Sequence, residues 1–242
     1  MTFTPHTADD VRRMLAAIGV SNTEALFSGI PEKLRLDRPL ALPPALSETE
    51  ILREMESLAA SNASPATHIS FLGGGTYRHF TPAVVDYLVS RGEFTTAYTP
   101  YQAEISQGTL QAIFEFQTLI CQLTGMEAAN ASMYDGASAA AEAALMAARL
   151  RKREKILVSA GLHPEYRETV ECYCRFLDIE VVETPLDSAG RTDIKTLKDL
   201  ADDDTAAVLV GSPNFFGVIE DLATLAPCAQ GKKAKLIVAV QE

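Results

Sequence analysis

The chain has 242 residues, 47% hydrophobic and 22% charged, the balance of an ordinary globular protein with length enough for a real core. A net charge of −11 and a sequence pI of about 4.9 argue against nucleic-acid binding, because no surplus of Lys and Arg is available to neutralise phosphates. The polar N-terminus lacks the apolar run of a signal peptide and no stretch reaches membrane-spanning length, so a soluble cytoplasmic protein is expected.

Residues 1–62 read as a helical arm. Asp9 and Asp10 precede Val11, Met14, Leu15 and Ile18 at helical spacing, and Gly19 closes the run as a C-cap. After an extended passage from Pro39 to Pro44, Ser47 and Glu50 form a capping box ahead of the stripe Ile51, Leu52, Met55, Leu58 and Ala59. An arm of this kind has no core of its own and packs on a neighbour, either the body of this chain or a second subunit.

The body spans 63–242. Gln107–Thr124 is predicted as a helix burying Leu110, Ile113, Phe114, Gln117, Ile120 and Leu123, with Gly125 at its end. A second helix runs from Gly136 to Leu150, and its basic tail (Arg149, Arg151, Lys152, Arg153) reads as a solvated end matched to the helix dipole. Strands are then predicted at Lys155–Ser159, Glu180–Thr184, Ala206–Val210 and Leu236–Val240. Helices separate them at Pro164–Leu177, Ile194–Ala201 and Asp221–Ala229, the first with Tyr166, Val170, Tyr173, Cys174 and Leu177 on one face. Continuous apolar strands between helices mark an α/β fold, a doubly wound and mainly parallel sheet covered on both faces. The sequence stops at Gln241 and Glu242 just after a buried strand, so a C-terminal remainder is expected beyond it.

Cys172 and Cys174 diverge by roughly 200° on their helix at about 3.6 residues per turn, which suits neither a disulfide nor a zinc knuckle. His6, His68, His79 and His163 show no ligand spacing, and no metal site is expected.

Three segments carry candidate chemistry. The run Tyr98–Gly108 holds Tyr98, Tyr101, Gln102, Glu104 and Gln107, side chains that hydrogen-bond and stack and that cost ordering entropy unless they meet something specific. Its plainer reading is a packed corner with Tyr98 and Tyr101 as half-buried supports. The run Phe71–Phe80 contains Gly73, Gly74 and Gly75, which can take φ > 0 and approach a ligand, followed by Thr76, Tyr77 and His79. Finally, Asp135-Gly-Ala-Ser opens a helix with Gly136, Ala137 and Ser138, bare amides suited either to an anion or to close helix packing.

These runs, with Thr4–Asp10, Arg38–Ser47 and Asn130–Ser138, resemble the N-terminal subunit of two-chain glycine decarboxylases, the P-protein family of the glycine cleavage system. The resemblance implies a fold-type I pyridoxal-phosphate enzyme. It implies decarboxylation of glycine and transfer of the aminomethyl group to the lipoyl arm of H-protein. In such pairs the second subunit carries the PLP lysine, in an α2β2 assembly. This chain then contributes no catalytic group of its own. Tyr98, Tyr101, Gln102, Glu104, Gln107, Gly74, Gly75 and Thr76 are expected to line the partner's site. A degenerate cofactor site of this chain's own is expected at Gly136, Ala137, Ser138 and His163. His163 there lacks a polar partner between Leu162 and Pro164, and Gln241 stands where an aspartate usually meets the pyridine nitrogen. Two alternatives remain open: an independent PLP-dependent aminotransferase or decarboxylase with its lysine beyond residue 242, and a non-catalytic structural subunit.

Overall fold

The capping signals of the N-terminal segment are realised as local hydrogen bonds. In the computed structural model, which describes residues 5–36, 38–74, 79–95 and 100–241, the chain divides into two units, Met1–His68 and Ile69–Glu242. In the first, α1 (Ala8–Ile18) starts at Thr7, whose hydroxyl accepts the Asp10 amide while the Asp10 carboxylate accepts the Thr7 amide at 2.9 Å. The Thr7 hydroxyl and amide hold the Asp10 carboxyl below its ordinary range. Gly19, at φ 86°, closes the helix in the left-handed conformation. Helix α2 (Glu48–Ala60) repeats the device, with the Glu50 carboxylate accepting from the Ser47 hydroxyl (2.6 Å) and amide (2.8 Å). Its stripe of Ile51, Leu52, Met55 and Leu58 is exposed, and none of the described residues of this unit is buried.

In the second unit, α3 (Ala83–Val89) and α4 (Gly92–Thr95) precede α5 (Gln107–Thr124). The bounds of α5 are those expected, but its covered side is not. Ile113, Gln117 and Ile120 are half-buried, whereas Phe114 and Leu123 are 69% and 68% exposed. Helical period identifies a stripe and says nothing of how far the covering surface extends. Phe114 lies about 100° round from Ile113, at 3.6 residues per turn, and stays open.

Helix α6 (Gly136–Arg151) buries Ala140, Ala141, Ala144, Ala147 and Ala148, small side chains that allow close approach to the sheet. Its basic tail is only partly solvated. The Arg153 guanidinium donates to the carbonyls of Thr205 (2.8 Å) and Lys232 (2.6 Å), tying three segments together.

Strand β1 (Lys155–Ser159) follows, then α7 (Pro164–Arg175), β2 (Glu180–Thr184), α8 (Ile194–Leu200), β3 (Thr205–Gly211), α9 (Leu222–Gly231) and β4 (Lys235–Ala239). The four strands are parallel in the order β2-β1-β3-β4. Alternation sends Ile156, Val158 and Leu209 to the face covered by α6 and α7, and Leu157, Val208 and Val210 to the face covered by α8 and α9. On α7, Val170 and Cys174 are buried while Tyr173 and Cys172 are exposed, so the two neighbouring thiols do diverge; the helix ends at Arg175, short of the expected Leu177, which is exposed beyond it. No helix among the described residues is long and apolar enough to cross a membrane.

The connection through α7 leads from β1 to one edge of the sheet, and that through α9 leads from β3 to the other. Strand order therefore reverses between β1 and β3, and ligands of such sheets gather beyond the carboxyl ends at this point.

Candidate functional site

A cleft of ≈ 200 Å³ lies beyond the carboxyl ends of β1, β3 and β4, lined by His163, Tyr166, Asn214, Phe215, Gln241 and Gly74 among others. It is smaller than the roughly 300–1,000 Å³ of ordinary small-molecule sites. His163 enters it just after β1, held by the buried Leu162, and caps α7. The expectation that His163 lacks a polar partner is corrected. Its Nδ1 accepts the Glu165 amide (3.2 Å), which leaves the proton on Nε2, and Nε2 donates to the Gly74 carbonyl (3.1 Å). Both partners are main-chain groups, and the second comes from 89 residues away, so neighbouring side chains gave no sign of them.

The start of α6 is already occupied from within the chain. The Asp135 carboxylate accepts the Ser138 amide (2.7 Å) and hydroxyl (2.9 Å). These bonds, the amide first, hold the Asp135 carboxyl below its ordinary range, and its charge stands where an anion would need to be. Across from it, the Tyr166 hydroxyl lies 2.0 Å from where a Cβ on Gly136 would stand, so glycine is what admits the phenol. Ala137 and Ser138 complete the same turn.

Among the described residues, the cleft offers little to hold pyridoxal phosphate: the Ser138 amide at the start of α6 is taken by Asp135, Gln241 is an amide rather than a carboxylate, and no lysine is in the lining. The His163 ring meets Tyr166 at a centroid distance of 5.3 Å, tilted by 39°, and Phe215 at 5.1 Å, near perpendicular, so it sits in an aromatic cluster.

A buried polar network braces Asn214, which lines the cleft. The Glu220 carboxylate, 5% exposed, accepts from the Thr192 amide and hydroxyl, and the Thr192 hydroxyl also meets that of Ser159 at 2.7 Å. The Asn214 carboxamide donates to the Gly190 carbonyl (2.8 Å) and accepts from the amides of Phe216 and Val218 (both 3.1 Å). Together they fix the turn after β3 that presents Phe215.

The tyrosine loop is elsewhere in this unit and open. Tyr101 is 82% exposed, and Gln102, Glu104 and Gln107 are exposed as well. The backbone is tight nonetheless, since the Gln102 carbonyl accepts the amides of Ile105 (3.2 Å) and Ser106 (3.0 Å) just ahead of α5. Tyr101 is thus not the half-buried support of a packed corner within this chain. Tyr98, Gly75, Thr76 and Tyr77 lie outside the described residues. Gly73 and Gly74 take φ of 64° and 67°, the left-handed conformation expected of this run.

Sequence reasoning brought out His163, Gly74 and Gly136 but missed Tyr166, Asn214, Phe215 and Glu220. The run Ser212-Pro-Asn-Phe-Phe-Gly217 follows an apolar strand, and its turn residues and paired aromatics were the available signal.

Comparison with known proteins agrees over the whole chain. The family pattern described as glycine cleavage system P-protein matches residues 1–242. A relative in Carboxydothermus hydrogenoformans named "Probable glycine dehydrogenase (decarboxylating) subunit 1" is 53% identical over 240 residues, covering 99% of this chain and 54% of the relative. A solved glycine decarboxylase (P-protein) of the glycine cleavage system, in inhibitor-bound form, superposes with a TM-score of 0.78 at 44% identity, over 100% of this chain and 53% of that one. A sphingosine-1-phosphate lyase from Burkholderia pseudomallei shares the fold alone, at a TM-score of 0.60 and 16% identity over 83% of this chain and 49% of that one. The architecture is the large domain of fold-type I PLP-dependent enzymes with helices N-terminal to it. The chain spans about half the length of the curated relatives it matches, and it belongs to the glycine cleavage system P-protein family.

Proposed function

We propose that this chain serves as subunit 1 of a two-chain glycine decarboxylase in the cytoplasm, assembled as α2β2 with a second subunit that carries the PLP lysine. Pyridoxal phosphate bound there supplies the electron sink for loss of the glycine carboxylate, and the lipoyl arm of H-protein accepts the aminomethyl group. The observation that carries this reading is the state of the tyrosine loop: a tightly hydrogen-bonded turn that holds Tyr101 82% exposed. A rigid turn that displays a large amphipathic side chain to solvent is built to meet another surface.

On this reading, Tyr101, Gln102, Glu104 and Gln107 line the mouth of the partner's site, and Tyr98, Gly74, Gly75 and Thr76 are further lining residues. Tyr101 donates its hydroxyl proton to an oxygen of the substrate or acceptor, and the surrounding side chains orient the glycine carboxylate and exclude water. The work is positional and electrostatic rather than nucleophilic.

The test is Tyr101→Phe in the assembled two-chain enzyme. It removes one hydroxyl that no described residue of this chain covers, so stability and assembly are unchanged. Loss of a hydrogen bond to a charged reactant costs about 1.5–3 kcal/mol, roughly a tenfold to hundredfold loss of glycine decarboxylation if the bond acts in the transition state. Activity within about twofold of wild type would instead support a structural subunit.

A further inference from the structure

We propose that His163, unused as a cofactor residue, is a positioning residue that fixes the glycine-rich loop through Gly74. The proposal rests on the reading above for the loop's destination. The observations that carry it lie within this chain.

Phe71 and Leu72 are 94% and 93% exposed, and Phe80 and His79 beyond the glycines are exposed too. Gly74 alone among the described residues of this run is half-buried. Two contacts account for that. The His163 Nε2–H donates to the Gly74 carbonyl at 3.1 Å, and the edge of Phe215 lies 3.5 Å from where a Gly74 Cβ would stand. That distance is ordinary contact, so the positive φ of 67°, rather than want of space, is what asks for glycine there.

Each half of this clamp is itself fixed. His163 is held by the Glu165 amide on Nδ1, which sets the tautomer that donates from Nε2. Phe215 is held by its own amide, which donates to the Gly161 carbonyl at 2.7 Å, and by the turn that Asn214 and Glu220 brace. Its ring meets His163 edge-on at an interplanar angle of 89°. The imidazole that faces the cleft therefore orients a backbone carbonyl of an otherwise open loop. Two consecutive left-handed glycines on an unrestrained loop would interconvert freely; a hydrogen bond and an aromatic contact at the second select one conformer.

The experiment uses the assembled two-chain enzyme with three variants in parallel. His163→Phe keeps a ring against Phe215 and removes the donor; His163→Gln keeps an Nε2 donor; Tyr101→Phe reports on the wider reading. Hydrogen–deuterium exchange is followed in the peptide spanning 69–80, and kcat and KM are measured for glycine. His163→Phe is expected to speed exchange in that peptide roughly two- to tenfold, the yield of one lost neutral hydrogen bond, and to lower kcat by a similar factor with KM little changed. His163→Gln is expected to restore most of both. Unchanged exchange in His163→Phe overturns the clamp. Faster exchange with unchanged kcat overturns the loop's catalytic placement; if Tyr101→Phe still loses activity, the wider reading survives without it, and if neither variant loses activity both fall.

Discussion

The packing of Tyr166 against Gly136 can be tested by a double-mutant cycle. A Cβ added at Gly136 would stand 2.0 Å from the Tyr166 hydroxyl oxygen, 2.6 Å from Cζ and 3.1 Å from Cε2. Van der Waals contact needs about 3.4 Å or more, so both hydroxyl and ring must move, and the ring is restrained by His163 at a centroid distance of 5.3 Å. Overpacking of this kind costs about 1–3 kcal/mol. The better helix propensity of alanine offsets at most about 1 kcal/mol, less at a first helical position. Gly136→Ala alone should therefore destabilise by about 1–2 kcal/mol. In a Tyr166→Ala background the same change should be neutral or slightly stabilising, giving a coupling of about 1–3 kcal/mol. In a Tyr166→Phe background most of the penalty should persist, because Cζ at 2.6 Å still obstructs after the oxygen is gone. Urea unfolding followed by circular dichroism reads all four corners. Additivity within about 0.5 kcal/mol would place the phenol away from the start of α6 and refute the account of that helix end.

Three further outcomes follow from other contacts. Leu209→Ala, at a fully buried position of central strand β3, should cost about 2–5 kcal/mol in the same unfolding assay, whereas Phe114→Ala on the open side of α5 should cost far less. Glu220→Gln would set an amide donor against the Thr192 amide or the Asn214 carboxamide, leaving a buried donor unmatched at about 1–3 kcal/mol and slackening the Phe215 turn, visible as faster exchange around residues 212–219. Asp202, bonded first to Lys155 and then to the Thr205 hydroxyl, has its carboxyl lowered from 3.8 to about 2. A depressed folded-state value means stability present above about pH 4 and lost as pH falls towards 2, so Asp202→Asn should flatten that acid arm in urea midpoints taken from pH 5 to 2.

The strands were readable because each is a short apolar run between turn residues, a signal carried by consecutive positions such as Ile156-Leu157-Val158. The cap at Ser47 was equally local, three residues from donor to acceptor, whereas the turn that Asp135 caps was read as bare amides although its signal is just as short. What could not be read depends on distance along the chain. Tyr166 looked like one more member of an apolar helix face, and only the packing of α7 on α6 sets its hydroxyl over Gly136, 30 positions earlier in the sequence. His163 and Gly74 are likewise joined across about half of the body. The open side of α5 escaped for a different reason: periodicity describes the helix, while exposure is a property of whatever faces it.

The strand order also sets a schedule for the nascent chain. β1 is flanked in the sheet by β2 and β3, both of which are made after it, and its fully buried Ile156, Leu157 and Val158 have no partner strand until those segments emerge. Leu209 follows Val158 by roughly 50 residues, which at about 5–20 residues per second leaves the strand half-paired for on the order of 3–10 seconds. For that interval it is an apolar strand with an unpaired edge. The charged run Arg151 to Lys155 immediately before it acts as a gatekeeper in the unfolded chain, discouraging strand-to-strand pairing between molecules. Once the sheet closes, Arg153 binds the carbonyls of Thr205 and Lys232 and Lys155 pairs with Asp202, so charges that guard the exposed strand during synthesis become ties across the finished one.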